Sequence, residues 1–571
     1  MQSRIFCQSK VVARVVSPFW IVLAALALSL AWLVPNHSFP WVGFHGDAWA
    51  ALMLLIIAAF VFRHSKFTVG WHWLTVVAVG VMVVPLIQYA TGMVFFFGVA
   101  WINSAYLLGF VVALLAGAAW EKEAAGQCAD YLFLAIGIAS VCSVGLQLFQ
   151  LLGLEPIGPW TLSSVGTRYS ANMAQPNQLA SLLLLGLLGC CWGHFRKILN
   201  PYLATGVAAL LLFGVALTES RTGWLNVALL VAASFFWRRL ASSTAYLRVV
   251  GSLTVFFMAC VLLAPVINDW LGSGMSELRL AASTDARWGA WRMFLKAAAN
   301  RPMLGFGWGQ LGQAQFLALD EHTVLGANFL QAHNLILDLV LWNGVPLGLA
   351  ITGFLAWWFW TVTRRIDNFS QWILMSFVMV LGTHSMLEYP LQYAFFLLPL
   401  GMIAGCLNSS LGLGVAFGSK RWLTGAVLIL AITSLTITIR DYFRAETSLY
   451  GLRFEQAKVR TTIPPLPPDV LVLTQWHAYI LFARVEPRLG MAPTELAWMR
   501  ALVTTLPSGY GMYRFAVMLA LNGRPEEAAQ WLLRIRLVTP REQWEIIQAA
   551  WASQSQKSSS IAAIAWPKIL E

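Results

Sequence analysis

Long apolar stretches alternate with short polar ones over the first three quarters of the chain. A membrane-spanning helix needs roughly 20 mostly apolar residues, and stretches of about this length recur up to residue 439 and not beyond it. Thirteen candidates are found: 18–34, 47–62, 70–89, 94–118, 128–152, 177–194, 201–218, 222–236, 247–266, 334–360, 369–388, 391–407 and 422–439. The two stretches that flank Tyr389 and Pro390 fit either two full spans or a re-entrant pair. The pattern predicts an all-α polytopic membrane protein with about 12–14 transmembrane helices.

Composition supports a membrane protein and excludes an ordinary soluble enzyme. Of the 571 residues, 59% are hydrophobic and 11% are charged, whereas soluble domains carry about 25% charged residues. The 28 tryptophans are typical of a chain with many helix ends at headgroup level. Arg4, Lys10 and Arg14 precede the first span as they would in a signal peptide, but twelve further spans follow. We therefore predict a retained anchor.

Lys and Arg residues predict the orientation of the spans. With the N-terminus inside, the short outside loops hold only Arg168 and Arg221. Fifteen basic residues then lie in inside segments or at their span edges: Arg4, Lys10, Arg14, Arg63, Lys66, Lys122, Arg196, Lys197, Arg238, Arg239, Arg248, Arg364, Arg365, Lys420 and Arg421. This bias accounts for much of the net charge of +12 without a nucleic-acid partner. We expect a bacterial inner-membrane protein with a cytoplasmic N-terminus and a periplasmic C-terminus.

Two long hydrophilic segments then face the periplasm. The loop 267–333 is inserted in a transmembrane domain, 1–439, and the tail 440–571 forms a helical C-terminal domain. Within the tail, the Gly, Ala and Pro spacing of 513–540 is similar to that of one tetratricopeptide unit, which would pack on neighbouring tail helices. None of the seven cysteines forms a C-x-x-C pattern, so neither a structural disulfide nor a zinc site is predicted.

Two of the four polar sites at the predicted periplasmic face contain an arginine. Charged groups at membrane depth are costly and so become functional candidates. Arg221 lies at a tight junction between two apolar runs, where it suits a phosphate or pyrophosphate or pairs with Glu219. Arg287 heads a helix pattern that leads to the glycine-rich stretch 301–309. The glycines let backbone approach a ligand closely, while the alternative is an interfacial amphipathic helix.

The other two sites contain a histidine and a carboxylate. His333 begins a long apolar helix and can accept a proton from a hydroxyl group, although a hydrogen-bonded interfacial histidine is the simpler interpretation. Asp338 is five positions on, off the same helix face, and so a poor orienting partner. Glu388 and Tyr389 sit beside a proline break. This carboxylate fits orientation of an imidazole, binding of a sugar hydroxyl, or local capping.

Together these motifs resemble the O-antigen ligase superfamily over roughly residues 160–410. The shared pattern comprises S-R-x-G at Ser220–Gly223, R-x-x-x-W at Arg287–Trp291, P-x-x-G-x-G at Pro302–Gly307 and an H-N-x-x-L motif at His333–Leu337. Within the superfamily the chain looks like the PglL-type protein O-oligosaccharyltransferases. Three features carry that likeness: a Q-P-N motif in 175–180, an H-x-x-x-E-Y-P segment in 384–390, and the long tail.

The resemblance implies a glycosyltransferase that takes an oligosaccharide from an undecaprenyl-pyrophosphate donor. The acceptor implied is a Ser or Thr hydroxyl of a periplasmic protein such as type IV pilin, with no cofactor and no metal required. Arg221 and Arg287 would hold the pyrophosphate and His333 would act as the base. The candidate substrate-binding residues are Arg168, Gln175, Gln178, Glu388 and Tyr389.

Other functions fit parts of the same pattern. An O-antigen ligase acting on lipid A core and a polysaccharide polymerase share the catalytic motifs, and the long tail favours a protein acceptor over both. A transporter would use the polar residues as a substrate pathway, but the matched broken helices typical of transporters are not apparent. The sequence leaves open the glycan, the acceptor, the oligomeric state and the stereochemical outcome.

Overall fold

The computed structural model describes residues 16–65, 69–154, 168–240, 244–271, 286–319 and 325–567, and each of the thirteen predicted spans falls on a helix. Arg4, Lys10, Arg14 and Lys66, which entered the charge count, lie outside the described residues. In chain order the helices are α1 (Pro18–Leu33), α2 (Phe44–His64), α3 (Trp73–Ala90), α4 (Phe97–Glu123), α5 (Gln127–Leu151), α6 (Pro176–Phe195), α7 (Pro201–Leu217), α8 (Arg221–Phe236), α9 (Thr244–Trp270), α10 (Ala286–Asn300), α11 (Leu311–Ala318), α12 (Leu335–Arg365), α13 (Phe369–Ser385), α14 (Ala394–Ser410), α15 (Arg421–Gln456), α16 (Thr474–Arg484), α17 (Pro493–Thr505), α18 (Gly509–Leu521), α19 (Pro525–Val538), α20 (Arg541–Ser555) and α21 (Ser559–Ala562).

The apolar helices confirm a polytopic membrane protein. Among the described residues, eight helices are long and apolar enough to cross a membrane, and four shorter apolar helices bring the total to twelve. Helices α13 and α14 have 17 residues each, and the one-turn 3-10 helix Pro390–Gln392 lies between them. The prediction of a helical multi-pass membrane protein is therefore confirmed, and the number of 12–14 spans stays a prediction, since eight of the described helices meet the length for a span.

Small residues let the central helices approach closely. A Cβ atom at Gly117 on α4 would collide with the Met402 carbonyl of α14, and one at Gly405 on α14 would collide with the Leu114 carbonyl of α4. Lipid tails are as apolar as leucine, so close backbone packing is a main source of helix association in a bilayer. This contact fixes α14, and with it the polar segment that precedes α14.

The two ends of the helical bundle differ in character. At one end, β1 (Val69–His72) pairs antiparallel with β2 (Gly414–Ser419) and so joins the α2–α3 connection to the α14–α15 connection. At the opposite end lie the connections α5–α6, α7–α8 and α13–α14, together with α10 and α11. All residues proposed from the sequence for the site lie at this second end.

The glycine-rich segment before α11 packs on a break in α12. Gly344 has non-helical dihedral angles (φ 79°, ψ 167°), which interrupt α12. Two backbone hydrogen bonds join the glycine-rich segment to α12 on either side of this break. Phe306 N–H donates to the Leu341 carbonyl at 2.7 Å, and Val345 N–H donates to the Pro302 carbonyl at 2.7 Å. A Cβ atom at Gly305 would collide with that Leu341 carbonyl. The sequence predicted that these glycines let the backbone approach a ligand. In the structure, Gly305 and Gly307 approach the backbone of α12.

The tail is helical and packs on the membrane-spanning part. Helix α15 has 36 residues and continues without a break past residue 439, where hydropathy places the domain boundary. Helices α18 and α19 form the predicted helix–turn–helix, with Gly523 (φ 72°) in the turn, and Phe515 packs on Trp531 at 5.2 Å. Leu325 N–H donates to the Leu537 carbonyl at 2.9 Å, so the loop before α12 is tied to α19.

Candidate functional site

A buried carboxylate gathers four polar side chains from three distant segments. Glu388, in the α13–α14 connection, is 4% exposed, and its Oε2 lies 2.7 Å from Nδ1 of His333. Arg287 of α10 donates to Oε1, Asn177 of α6 donates to Oε1 at 2.9 Å, and Gln175 donates to Oε2 at 3.4 Å. We call these five residues the Glu388 cluster. The structure thus brings together four predicted site residues, His333, Arg287, Gln175 and Glu388.

The charge of Glu388 determines which nitrogen of His333 carries a proton. Burial acts to raise the pKa of the Glu388 carboxyl, but the hydrogen bond and charge of His333 and the charge of Arg287 hold it below its ordinary value. The carboxylate is therefore ionised at neutral pH and can only accept hydrogen bonds. Nδ1 of His333 must then be the donor, and in the neutral form of the imidazole Nε2 carries the lone pair that accepts a proton.

The backbone at His333 is held in an unusual conformation. His333 has φ 54°, a left-handed conformation that non-glycine residues adopt rarely and at some cost in strain. The preceding Ala332 is fixed on both sides, because its N–H donates to Asp338 Oδ1 at 2.7 Å and its carbonyl accepts from Trp291 Nε1 at 2.7 Å. Asp338 thus positions the backbone, while Glu388 contacts the imidazole.

A second set of contacts connects the cluster to the start of α8. Oδ1 of Asn177 accepts from Ser220 Oγ at 2.7 Å and from Arg168 at 3.3 Å, and Nε of Arg168 donates to the Thr218 carbonyl at 3.2 Å. Ser220 is the N-cap of α8 and Arg221 its first residue, and the Arg221 side chain is exposed. A helix N-terminus favours bound anions. Because Ser220 bonds to Asn177, Arg221 lies one residue from the hydrogen-bond network that contains Arg287, at a helix end that favours an anion.

Gln178 is connected to Tyr389 through a second tyrosine, Tyr393. The Tyr389 ring lies edge-on to the His333 imidazole, with centroids 5.0 Å apart, and stacks with Tyr393 at 6.2 Å. The Gln178 side chain interacts with the Tyr393 phenol and opposes the rise in the Tyr393 pKa that burial causes. Burial raises the pKa of the Tyr389 phenol, so Tyr389 stays protonated at neutral pH. Gln178 is thus linked to the cluster through these two aromatic side chains.

The sequence interpretation did not assign roles to Asn177, Ser220, Ser181 or His384. Asn177 and Ser220 each lie inside a quoted motif, Q-P-N and S-R-x-G, which was the available signal. His384, one turn before Glu388, is fully buried, and its Nδ1 lies 2.8 Å from Ser181 Oγ. This contact ties α13 to α6.

Replacing Ser181 by alanine is expected to lower the thermal stability of the purified protein. His384 would lose its Nδ1 partner, and its Nε2 is already buried without a partner. Leaving a buried polar group unsatisfied costs about 1–3 kcal/mol. Ser376→Ala is the matched control, because among the described residues this equally buried serine bonds only to the Trp372 carbonyl of its own helix. Equal melting temperatures for the two variants in detergent would contradict a role for the Ser181–His384 contact.

Three family models match separate parts of the chain. The model for O-antigen ligase matches residues 206–352, the model for protein glycosylation ligase matches 171–192, and the model for the C-terminal part of virulence factor membrane-bound polymerase matches 372–554. The first two models contain the S-R-x-G, R-x-x-x-W and Q-P-N motifs, and also His333. The third contains Glu388 and most of the tail.

Two curated proteins of Acinetobacter baylyi are similar over most of the chain. A general O-oligosaccharyltransferase is 28% identical over 525 residues, covering 89% of this chain and 90% of the relative. A ComP-specific O-oligosaccharyltransferase is 26% identical over 403 residues, covering 68% of this chain and 71% of the relative. The chain thus resembles the O-antigen ligase superfamily, and it is a membrane-spanning glycosyltransferase. Within the superfamily it is most like the PglL-type protein O-oligosaccharyltransferases.

Proposed function

We propose that this enzyme transfers an oligosaccharide from undecaprenyl pyrophosphate to Ser or Thr hydroxyls of periplasmic proteins such as type IV pilin. The observation that carries the proposal is the contact of His333 with ionised Glu388 beside the guanidinium of Arg287. A base with a fixed tautomer next to a cation suits attack by a hydroxyl on a donor with an anionic leaving group. A protein acceptor is supported by the match of residues 171–192 to the model for protein glycosylation ligase and by the name of the ComP-specific relative.

In the proposed mechanism, Nε2 of His333 takes the proton of the acceptor hydroxyl. The freed oxygen attacks C1 of the first sugar, and the bond between C1 and the pyrophosphate oxygen breaks with its electrons on the leaving group. Arg221 and Arg287 stabilise the pyrophosphate charge by fixed hydrogen-bond donors. Glu388 stabilises the imidazolium that forms. A direct displacement of this kind inverts the anomeric centre.

Arg287 has enough N–H groups to bond both Glu388 and the lipid-linked glycan substrate. A guanidinium group carries five N–H donors in a planar fork. Arg287 can therefore keep one bond to Glu388 and offer others to a phosphate oxygen, and the cluster need not be dismantled when the donor binds. In the same proposal, Arg168, Gln175, Gln178 and Tyr389 bind the glycan or the acceptor.

The proposed orientation predicts the activity of alkaline phosphatase fusions. Fusion after residue 300 or after residue 500 should give active phosphatase, because both positions lie on the periplasmic side in the proposed topology. Fusion after Arg365 should be inactive, because Arg364 and Arg365, in the last turn of α12, lie on the cytoplasmic side in the same proposed topology. Phosphatase activity is measured per amount of fusion protein. An active fusion after Arg365 would overturn the orientation and, with it, the periplasmic site.

Co-expression tests the proposed acceptor against the alternatives. A bacterial host without its own transferase would carry this enzyme, a lipid-linked glycan and a candidate pilin, and the His333→Ala variant would serve as the control. We expect intact-mass spectra of the pilin to gain the mass of the glycan only with the unaltered enzyme. Transfer to lipid A core instead would identify an O-antigen ligase. Elongated glycan chains would identify a polymerase, the second candidate favoured by the polymerase model at 372–554.

A further inference from the structure

An open pocket in the tail lies outside the Glu388 cluster. Its volume is about 510 Å³, within the range of about 300–1,000 Å³ typical of binding pockets. Residues of α15, α16, α18 and the α1–α2 connection form its wall, so the membrane-spanning part and the tail both contribute. The lining residues are Phe39, Leu449, Leu452, Arg453, Gln456, Tyr479, Ala483 and Tyr510. We call it the tail pocket.

The apolar surface inside the tail pocket suits an apolar side chain better than a sugar ring. Leu449 and Leu452 are 5% and 4% exposed and form an apolar surface with Phe39 and Ala483. A sugar ring seated on Leu449 and Leu452 themselves would leave the hydroxyl groups on that side without hydrogen-bond partners, which is costly. An apolar side chain would incur no such cost. Aromatic residues and arginine around an apolar surface are also typical of the energetically dominant centres of protein interfaces.

The rim of the tail pocket offers an unneutralised positive charge. Arg453 is exposed and forms no ion pair in the part of the chain that the structure describes. Its guanidinium lies 5.8 Å from the ring centre of Tyr450 on the same helix. Nearby Arg484, by contrast, is paired with Glu455 at 2.9 Å. Arg453 is therefore the group at the rim that would attract a carboxylate.

The α1–α2 connection links the tail pocket to the Glu388 cluster. Phe39 packs on Trp476 of α16 at 4.9 Å, and His37, two residues earlier, has its Nε2 2.7 Å from the Asn172 carbonyl. Asn172 precedes Gln175 of the cluster by three residues. This path consists of five steps along the chain, each of at most ~3.6 Å, and one side-chain contact. It therefore places the tail pocket within about 30 Å of the Glu388 cluster. An extended segment of about nine residues spans that distance.

We propose that the tail pocket binds the acceptor polypeptide, with an apolar side chain on Leu449 and Leu452 and a neighbouring carboxylate on Arg453. The segment between this anchor and the modified hydroxyl would run along the α1–α2 connection to His333. This inference rests on the proposed function and adds how a protein acceptor is selected. A lipid acceptor would make no use of the pocket.

Steady-state kinetics with two acceptors test the tail pocket. The variants are Arg453→Glu and Tyr510→Ala, and the matched control is Arg460→Glu, an exposed tail arginine outside the pocket and also without an ion pair among the described residues. Reversing the charge at Arg453 should raise KM for a full-length acceptor protein about tenfold, with kcat little changed. Transfer to a short peptide that contains only the modified serine and its immediate neighbours should be unaffected. Arg460→Glu should match the unaltered enzyme.

The outcomes distinguish a failure of the pocket from a failure of the proposed function. An unchanged KM for the acceptor protein in both pocket variants overturns the proposal. A higher KM for long-glycan donor but not for monosaccharide donor would assign the pocket to the glycan and also overturn it. If the unaltered enzyme modifies no protein, the proposed function fails. The role of the tail pocket is then tested by the affinity of the acceptor protein for the His333→Ala enzyme, measured with and without Arg453→Glu. Equal affinities would contradict the proposal that the pocket binds the acceptor.

Discussion

Replacing His333 by alanine is expected to lower kcat for glycan transfer about 10²–10⁴-fold, the usual contribution of a positioned general base. The imidazole is the group next to Glu388 that can take the acceptor proton, and its Nδ1 is already engaged at 2.7 Å. The protein should still insert and accumulate, because His333 lies at the start of α12 and outside its apolar core. Initial rates with purified donor and acceptor, at matched enzyme concentration, provide the measurement.

Glu388→Gln separates the orienting role of the carboxylate from the role of the base. A neutral amide can donate to Nδ1 and so allow the other tautomer, in which Nε2 carries the proton and cannot act as base. We therefore expect a large loss of kcat in this variant although the side chain keeps its size. Near-normal transfer by His333→Ala would show that another group is the base. Full activity of Glu388→Gln would remove the carboxylate from the mechanism.

The second large effect is expected from the two arginines. Arg221→Ala and Arg287→Ala should each lower the rate of transfer by about one to two decades, since a charged hydrogen bond contributes about 1.5–3 kcal/mol. The lysine variants keep the charge but lose the planar fork and should be intermediate. If both side chains hold one pyrophosphate, the double alanine variant should lose less than the sum of the single losses. In vitro transfer with purified lipid-linked donor measures this double-mutant cycle.

The structure adds a control to that cycle, because the two arginines differ in their surroundings. Arg287 is paired with a carboxylate that is 4% exposed, and removing one partner of a buried charge is destabilising. Arg221 is exposed at the start of α8, so its loss should affect stability little. Melting temperatures of both variants therefore have to accompany the rates. Strict additivity of the rate effects would show that the arginines act on different groups, and full activity of either alanine variant would exclude that residue.

The spans and several site residues could be predicted from the sequence because each depends on a local signal. An apolar run of sufficient length must be a helix in a bilayer, and every predicted run falls on one. His333, Arg287 and Glu388 were found because ionisable groups beside apolar runs are costly. The interpretation of Glu388 as a group that orients an imidazole agrees with its contact to His333.

Contacts between distant segments could not be predicted in the same way. Asn177 and Glu388 are 211 residues apart, and nothing in the Q-P-N motif indicates which carboxylate its asparagine meets. Gly305 and Gly344 face each other across the break in α12, whereas the sequence shows only two separate glycines. The continuation of α15 past residue 439 could not be predicted either, because hydropathy indicates contact with lipid and does not indicate where a helix ends.

The most direct test of the account is transfer by the purified enzyme, with only an undecaprenyl-pyrophosphate oligosaccharide and an acceptor protein added. Mass spectrometry of the acceptor and of the released carrier lipid provides the measurement. The proposed mechanism predicts an oligosaccharide on a Ser or Thr hydroxyl, an equal amount of undecaprenyl pyrophosphate, and loss of both products with His333→Ala. Release of the carrier without modified protein, or equal transfer by His333→Ala and the unaltered enzyme, would contradict it.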